Sequence, residues 1–491
     1  MSDASALEYY QRISERFPQP PQEVRIAAEE AARNGLEGIN DDVMAKVAFY
    51  PWQKRFWITV VVVLAAGFII DPVITGSILS AFLVVLYSLT VYGRMRITFT
   101  GILSDPPKQD LSHLVADDDL PMYTILMPAY DEPEVIRNLV RAVDEIDYPH
   151  DRLELLLLLE EDDHRTLDAL LEVELPESVR VLLVPPSEPR TKPKACNYGL
   201  NFARGKYVTI YDAEDIPQRY QLRYAVAMFE NSPDNVVCLQ ARLDYFNDRQ
   251  NLLTRFFSIE YATWFGCILP GLQALNMPIP LGGTSNHMRT DRLIELGGWD
   301  PYNVTEDADL GLRLAQNGYR TLVLDSVTME EANSDTVNWI RQRSRWYKGY
   351  LQTWLVHMRR PRQSFQHVGF RGVLGMTTVI GLTPALAAVN LFAGLITIFF
   401  LVGLPSFLSG VFPPWVVYMG TAMFFFGNAL VIFSSILAMI KMRKEHLVWA
   451  CLLFPLYWFL MAVAATKAVY QLIVKPSYWE KTQHGLTEAG E

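Results

Sequence analysis

Tyr207-Val208-Thr209-Ile210-Tyr211-Asp212-Ala213-Glu214-Asp215 is the stretch on which the fold turns. Its first five residues are aromatic, β-branched or aliphatic and read as a buried strand. Three carboxylates follow at once, so the strand ends in a cluster of hard oxygen donors.

Three similar apolar runs precede it, at 123–127, 153–159 and 179–184, with helical patterns near 133–144, 193–203 and 219–229. Strands alternating with helices in this way predict an α/β fold, a mainly parallel sheet covered by helices. Ligands on such sheets bind beyond the carboxyl ends of the strands. Polar residues stand there: Tyr130-Asp131-Glu132 after the first run, Glu160-Glu161-Asp162-Asp163 after the second, and the acids at 212–215 after the fourth. They are expected to converge on one cleft.

Asp212, Glu214 and Asp215 suit Mg²⁺ or Mn²⁺ bridged to a diphosphate, because both ions prefer oxygen ligands and keep open positions. A solvated acidic turn is the plainer alternative. Thr305 stands where a helix N-cap would, with Glu306 and Asp307 opening a helix over 307–316, and the helix dipole favours the ionised carboxylate that a general base needs. Thr284-Ser285-Asn286-His287, after Gly282-Gly283, is a polar stretch expected to line an acceptor site. On a helix, Gln342, Arg345 and Trp346 fall at i, i+3 and i+4 and share a face. Arg345 can grip phosphate oxygens with two parallel hydrogen bonds, and Trp346 can stack on a sugar ring. The alternative is an interfacial helix whose Trp339, Arg341, Arg343, Trp346 and Lys348 anchor it to lipid headgroups.

Charge-free stretches bracket these clusters. Residues 56–70 and 73–92 form an expected hairpin turning at Asp71-Pro72, flanked by Lys54, Arg55, Arg94 and Arg96, which places both ends on the cytosolic side. Residues 382–404 and 414–440 form a second pair, followed by Lys441, Arg443 and Lys444. The apolar run at 447–466 reads as a bent or re-entrant element broken at Pro455, since spanning would export Lys467, Lys475 and Lys481. Residues 361–381 mix polar and apolar side chains and are expected to lie along the membrane surface. Within the helices Asn390, Tyr418, Asn428 and Tyr457 are candidates for lining a tunnel. The formal net charge of -11 over 491 residues argues against nucleic acid as the partner. Four scattered cysteines suggest neither a disulfide framework nor a zinc site. Residues 1–50 carry both charge signs and a helical pattern, and read as a cytosolic arm rather than a leader peptide.

Taken together, these residues resemble the processive family 2 glycosyltransferases, the group containing cellulose, chitin, hyaluronan and curdlan synthases, over about residues 50–485. The most specific element is Gln342-x-x-Arg345-Trp346, downstream of Thr305-Glu306-Asp307 and a DxD-type motif. The resemblance implies a GT-A domain over 97–360, set between a transmembrane hairpin at 51–96 and a transmembrane region at 382–474. It implies an inverting transfer from a UDP-sugar (UDP-glucose or UDP-N-acetylglucosamine) to a growing β-linked polysaccharide. Asp307 takes the general-base position and Asp212 and Glu214 the DxD positions. Gln342, Arg345 and Trp346 take the diphosphate and acceptor positions. Tyr130 and Glu132 match the uridine-binding loop and Lys194 a donor-site lysine. Thr305, Glu306 and Glu161 are counted with the substrate-binding residues. Glu160-Glu161 replaces the family's aspartate pair, and Asp-x-Glu followed by Asp215 leaves the second metal ligand open between Glu214 and Asp215.

The implied setting is a multi-pass protein of the inner membrane, with a cytosolic catalytic domain and room for accessory export subunits. The stretch 475–485 is expected to fold over the donor cleft as a gate, with Lys481 or His484 near the diphosphate, or to act as an interfacial anchor. Two rival functions are transfer of a single sugar to a lipid carrier, and an inactive partner subunit that binds nucleotide sugar.

Overall fold

A computed structural model describes residues 3–104, 114–133, 136, 145–402 and 410–475. Eight strands form one sheet in the order β3-β2-β1-β4-β7-β6-β8-β5. They are β1 (Tyr123–Ala129), β2 (Leu153–Glu160), β3 (Val179–Val184), β4 (Tyr207–Ile210), β5 (Ile216–Pro217), β6 (Val236–Tyr245), β7 (Asn286–Arg289) and β8 (Arg320–Glu330). The first four are mutually parallel, with Tyr123 opposite Leu153 on one side and Tyr207 on the other. β7 then runs antiparallel between β4 and β6, so the sheet is mixed rather than mainly parallel. β6 and β8 are parallel, and β5 pairs antiparallel with β8.

Every residue of β2 is buried, as expected for a strand covered by helices on both faces. Alternation sends Leu156 and Leu158 to one core and Leu155, Leu157 and Leu159 to the other. The first core is closed by the helix Lys192–Leu200 and by Ala28 and Ala32 of α2 (Gln22–Asn40). The second is closed by the helix Gln221–Glu230 and Ile13 of α1 (Asp3–Arg16). The N-terminal arm is therefore docked on the domain, with Arg25 paired to Glu161 at 2.7 Å and Ala32 accepting from Asn197.

Five helices among the described residues are long and apolar enough to cross a membrane, as a membrane protein requires. α3 (Pro51–Ile70) and α4 (Pro72–Leu103) meet at Asp71, whose carboxylate caps α4 by accepting from the Val73 and Ile74 amides. α4 continues past Arg96 into the soluble domain. There Gly101 and Gly271 let its backbone touch the segment 267–271, since a Cβ on Gly101 would lie 1.7 Å from the Cys267 carbonyl oxygen.

Two segments differ from expectation. Residues 361–381 do not form one surface helix: Gly369 breaks it at φ 67°, and from Phe370 the chain runs through a wide π turn (Thr377–Leu382) into the apolar helix Thr383–Val402. Pro455 does not break a helix but starts one, in the first turn of Phe454–Val474 where its missing N–H costs nothing. Tyr457 at the start of that helix packs on Trp339, and Leu472 near its end clusters with Leu351, Leu355 and Ala48. Both ends thus meet the soluble domain, and Leu456, Phe459, Tyr470 and Ile473 are left on an exposed apolar stripe.

Candidate active site

A cavity of about 1830 Å³ opens at the tips of β1 and β4 and continues between the apolar helices. Tyr130, Glu132, Asp212, Glu214, Asp215, Thr305, Glu306, Asp307, Gln342, Arg345 and Trp346 all line it. The pairing of β1 with β4 brings the first two loops side by side. Asp131, at φ 57°, turns the loop after β1 and donates its amide to Asp163 Oδ2 at 2.5 Å, while the Glu132 amide donates to Thr166 Oγ1 at 3.0 Å.

Two residues assigned from the sequence lie elsewhere. Glu161 points to Arg25 of the arm, and Glu160 lines the cavity in its place. Lys194 is fully buried against Glu160 at 3.1 Å and the carbonyls of Pro185 and Ser187. The lysine in the cavity is Lys192, which donates to Asp212 and, at 3.0 Å, to the Gly283 carbonyl. Burial would lower its ammonium pKa, but Asp212 and Glu306 outweigh that and hold it above its ordinary value.

Within the acidic turn, Asp215 accepts from the Asp212 amide at 2.7 Å and from the Thr284 hydroxyl. It braces the turn, which leaves Asp212 and Glu214 as the outward carboxylates. Burial, then Asp212, pushes Asp215 up to about 8. Burial and its acidic neighbours also drive Glu214 well above the usual carboxylate range. Glu330 at the end of β8, which the motifs did not suggest, is raised by burial and then by Asp215, Asp212 and Glu214. The elevated values record burial first, and then the crowding of negative charge around one space. Among the described residues no three acids, histidines or cysteines converge on a point. An oxygen-only pair facing that charge excess fits a divalent cation completed by phosphate and water.

Glu306–Gln316 is a helix, and Thr305 occupies its N-cap position without capping it. The Thr305 hydroxyl instead meets that of Thr353 at 3.2 Å. Burial pushes Asp307 up to about 6, against the Ala308 amide and Lys192, which lower it. Burial, then Asp307, pushes Glu306 up to about 8. Asp307 is the less perturbed of the two neighbouring carboxyls, which suits it better to take a proton.

The helix Thr336–His357, called the Arg-Trp helix below, carries Gln342, Arg345 and Trp346 on the cavity wall. Gln342 Oε1 is buried without a hydrogen-bond partner among the described residues. Trp346 packs beside Phe257 and Tyr261. Trp339, Arg343 and Lys348 are buried, which removes the lipid-anchor alternative for them. Arg343 makes a two-pronged pair with Glu260 at 2.8 and 2.5 Å, surrounded by the rings of Phe257, Trp339, Trp346 and Tyr347. The motif spacing did not single it out, since it stands at one of the unspecified positions between Gln342 and Arg345.

His287 is not in an acceptor loop: it lies in β7, fully buried between Tyr123 and Gln221. Asn390, Asn428 and Tyr457 line the part of the cavity between the apolar helices, with Tyr457 donating to Glu260 at 2.6 Å. Tyr418 is 75% exposed on the outside of its helix. The remaining wall there is mostly apolar, including Val416, Phe424, Phe425 and Ile432, relieved by Tyr87, Thr421, Ser434 and Ser435. Three π turns, Trp264–Ile268, Thr377–Leu382 and Met423–Gly427, each contribute wall residues. The stretch expected to act as a gate, from Pro476 onward, lies outside the described residues.

A family model described as "Glycosyltransferase like family 2" matches residues 121–349. Over 234 residues the chain is 29% identical to a probable glycosyltransferase, YdaM, of Bacillus subtilis (strain 168), covering 47% of this chain and 56% of that protein. Over 243 residues it is 26% identical to a probable glucomannan 4-beta-mannosyltransferase of Oryza sativa subsp. japonica, covering 47% and 41%. Over 241 residues it is 26% identical to the beta-monoglucosyldiacylglycerol synthase of Trichormus variabilis, covering 48% and 50%. The chain spans about half the length of the curated relatives it matches. A mannosyltransferase from Pyrobaculum calidifontis, solved with GDP-Man and Mn²⁺, superposes with a TM-score of 0.50 at 19% identity over 81% of this chain and 99% of that one. The soluble domain has the GT-A fold and is a family 2 glycosyltransferase domain, flanked by apolar helices.

Proposed function

We propose that the family 2 glycosyltransferase domain at 121–349 makes this protein a membrane-embedded, inverting, metal-dependent transferase that extends a β-linked polysaccharide from a UDP-sugar. The observation that carries the reading is the single cavity, in which strand-tip acids, Asp307 and the Gln342-Arg345-Trp346 face open directly into a space between apolar helices. The basic residues Lys54, Arg55, Arg94, Arg96, Lys441, Arg443 and Lys444 support a cytosolic position for the domain, in the inner membrane.

In this reading Tyr130 and Glu132 hold the nucleoside, and Trp346 stacks on a sugar face. Asp212 and Glu214 would hold Mg²⁺ or Mn²⁺, which when bound offsets charge on the diphosphate leaving group. Lys192 and Arg345 add fixed positive charge on the same side. Asp307 accepts the proton of the acceptor hydroxyl while that oxygen bonds to the anomeric carbon from the face opposite the diphosphate. The bond from that carbon to the phosphate oxygen breaks, and its electron pair leaves with UDP. One displacement inverts the centre. The new product then occupies the helix-lined part of the cavity, where accessory export subunits are compatible partners.

A second reading, transfer of one sugar to a lipid acceptor, is favoured by the apolar walls around Phe424, Phe425 and Ile432. Purified protein in lipid, incubated with a panel of nucleotide sugars, separates the readings. A product degraded stepwise by linkage-specific β-glycosidases supports the polymer, whereas a single-sugar glycolipid supports the second reading. No nucleotide diphosphate from any donor would leave only a binding subunit.

A further inference from the structure

The face of the Arg-Trp helix that carries Gln342, Arg345 and Trp346 continues toward the helix C-terminus. Gly349, Thr353 and His357, spaced at i, i+4 and i+8, extend that face through the following turns, with Gly349 at i+4 from Arg345 and i+3 from Trp346. That stripe meets the loop and helix that carry Asp307. A Cβ built on Gly349 would lie 2.5 Å from Thr305 Cγ2 and 2.8 Å from its hydroxyl. Thr353 donates to Asn303 Oδ1 at 3.1 Å and accepts from Asn303 Nδ2 at 3.0 Å, and the Thr305 amide donates to the same Oδ1 at 3.1 Å. One turn further, His357 meets Asp309 at 3.0 Å and Gln316 at 3.0 Å. The N-terminal arm closes the seam from outside: Gln352 donates to the Ala45 carbonyl, and the Ala45 amide donates to Asp300 at 2.6 Å.

We propose that this seam sets the position of the Asp307 carboxylate relative to Arg345 and Trp346, with Gly349 and Thr353 as positioning residues. The proposal rests on the reading of Asp307 as base. Gly349 lies four residues beyond Arg345, about 6 Å along the helix axis. A single rigid element therefore touches the leaving-group side of the site with one turn and the loop that precedes the base with the next. A methyl at Gly349 must move Thr305 by about 1 Å to reach ordinary van der Waals separation. Thr305 precedes Glu306 and Asp307 directly, so the displacement passes to the base. A misplacement of about 1 Å costs roughly 100-fold in rate without any loss of donor contacts.

The test uses full-length protein in lipid nanodiscs, with UDP release as turnover and calorimetric UDP affinity as a separate readout. Gly349→Ala is expected to lower kcat about 100-fold with donor KM and UDP affinity unchanged. Adding Thr305→Ser, which keeps the hydroxyl but removes the nearest methyl, restores most of the loss relative to Thr305→Ser alone. Should Gly349→Ala fail to fold, Thr353→Val and Thr353→Ser decide, the first losing kcat and the second retaining it. Wild-type kcat in Gly349→Ala or Thr353→Val overturns the seam, as does a loss shared equally by UDP affinity or unrelieved by Thr305→Ser. Full activity in Asp307→Asn would instead overturn the reading of the base, so the two failures are distinguishable.

Discussion

Lys192 Nζ donates to the Asp212 carboxylate, so the cation of the acidic turn comes from the first residue of the helix Lys192–Leu200. Lys194, on another face of that helix, is buried against Glu160. Lys192→Ala is expected to weaken UDP binding about tenfold or more, the equivalent of roughly 1.4 kcal/mol. Lys194→Ala leaves Glu160 buried without its partner and lowers stability by about 3–5 kcal/mol. Calorimetric UDP titration and thermal unfolding of both variants check the contrast.

The pH dependence follows from Asp307. A base with a pKa of about 6 is ionised above that value, so kcat/KM rises with pH through about 6 and falls tenfold per unit below it. In the folded protein this carboxyl sits above its ordinary 3.8. The folded state therefore binds more protons between those values, and the group's contribution to stability declines as pH rises through that window. Asp307→Asn is expected to lose most of its turnover and, at pH 7, to be more stable by about 1–3 kcal/mol. A melting curve beside a pH–rate profile reads both.

The second metal ligand is decided by Glu214 and Asp215. Glu214→Gln is expected to raise the Mn²⁺ concentration for half-maximal turnover at least about tenfold, because removing one anionic ligand costs on the order of 1.4 kcal/mol or more. Asp215→Asn keeps an oxygen for the Asp212 amide and the Thr284 hydroxyl and retains Mn²⁺ dependence, whereas Asp215→Ala lowers the melting temperature. Chelation with EDTA is expected to abolish turnover in the wild type, and Mn²⁺ to restore it.

Arg343 holds Glu260 with two hydrogen bonds amid four aromatic rings. Arg343→Lys keeps the charge but loses the planar fork and its stacking. It is expected to destabilise the protein and to release Trp346, read as a red-shifted tryptophan emission and a raised donor KM. Glu260→Gln, which preserves shape, is expected to cost less.

Much of this was legible before the structure. β1 to β4 announce themselves because burial on both faces demands continuous apolar runs. β6 and β8 escape because their polar residues are satisfied by partners distant in sequence: Gln240 donates to the Thr284 carbonyl, and Arg242 pairs with Asp325 at 2.8 Å. The motif acids Asp212 and Asp307 follow from a strand tip and a helix start. The choice within neighbouring pairs does not: Lys192 rather than Lys194, Glu160 rather than Glu161 and the bracing role of Asp215 depend on which face a residue presents. That orientation is fixed by the sheet register and helix packing, not by composition. Pro455 misled in the same way, since a proline breaks a helix interior but suits a first turn.

The most direct measurement is UDP release from UDP-sugars by the purified protein in lipid, comparing wild type with Asp307→Asn. The account predicts divalent-dependent release by the wild type and a loss of about 10²–10⁴-fold in the variant, with UDP affinity intact. Equal turnover in the two, or no diphosphate released from any nucleotide sugar, would contradict it.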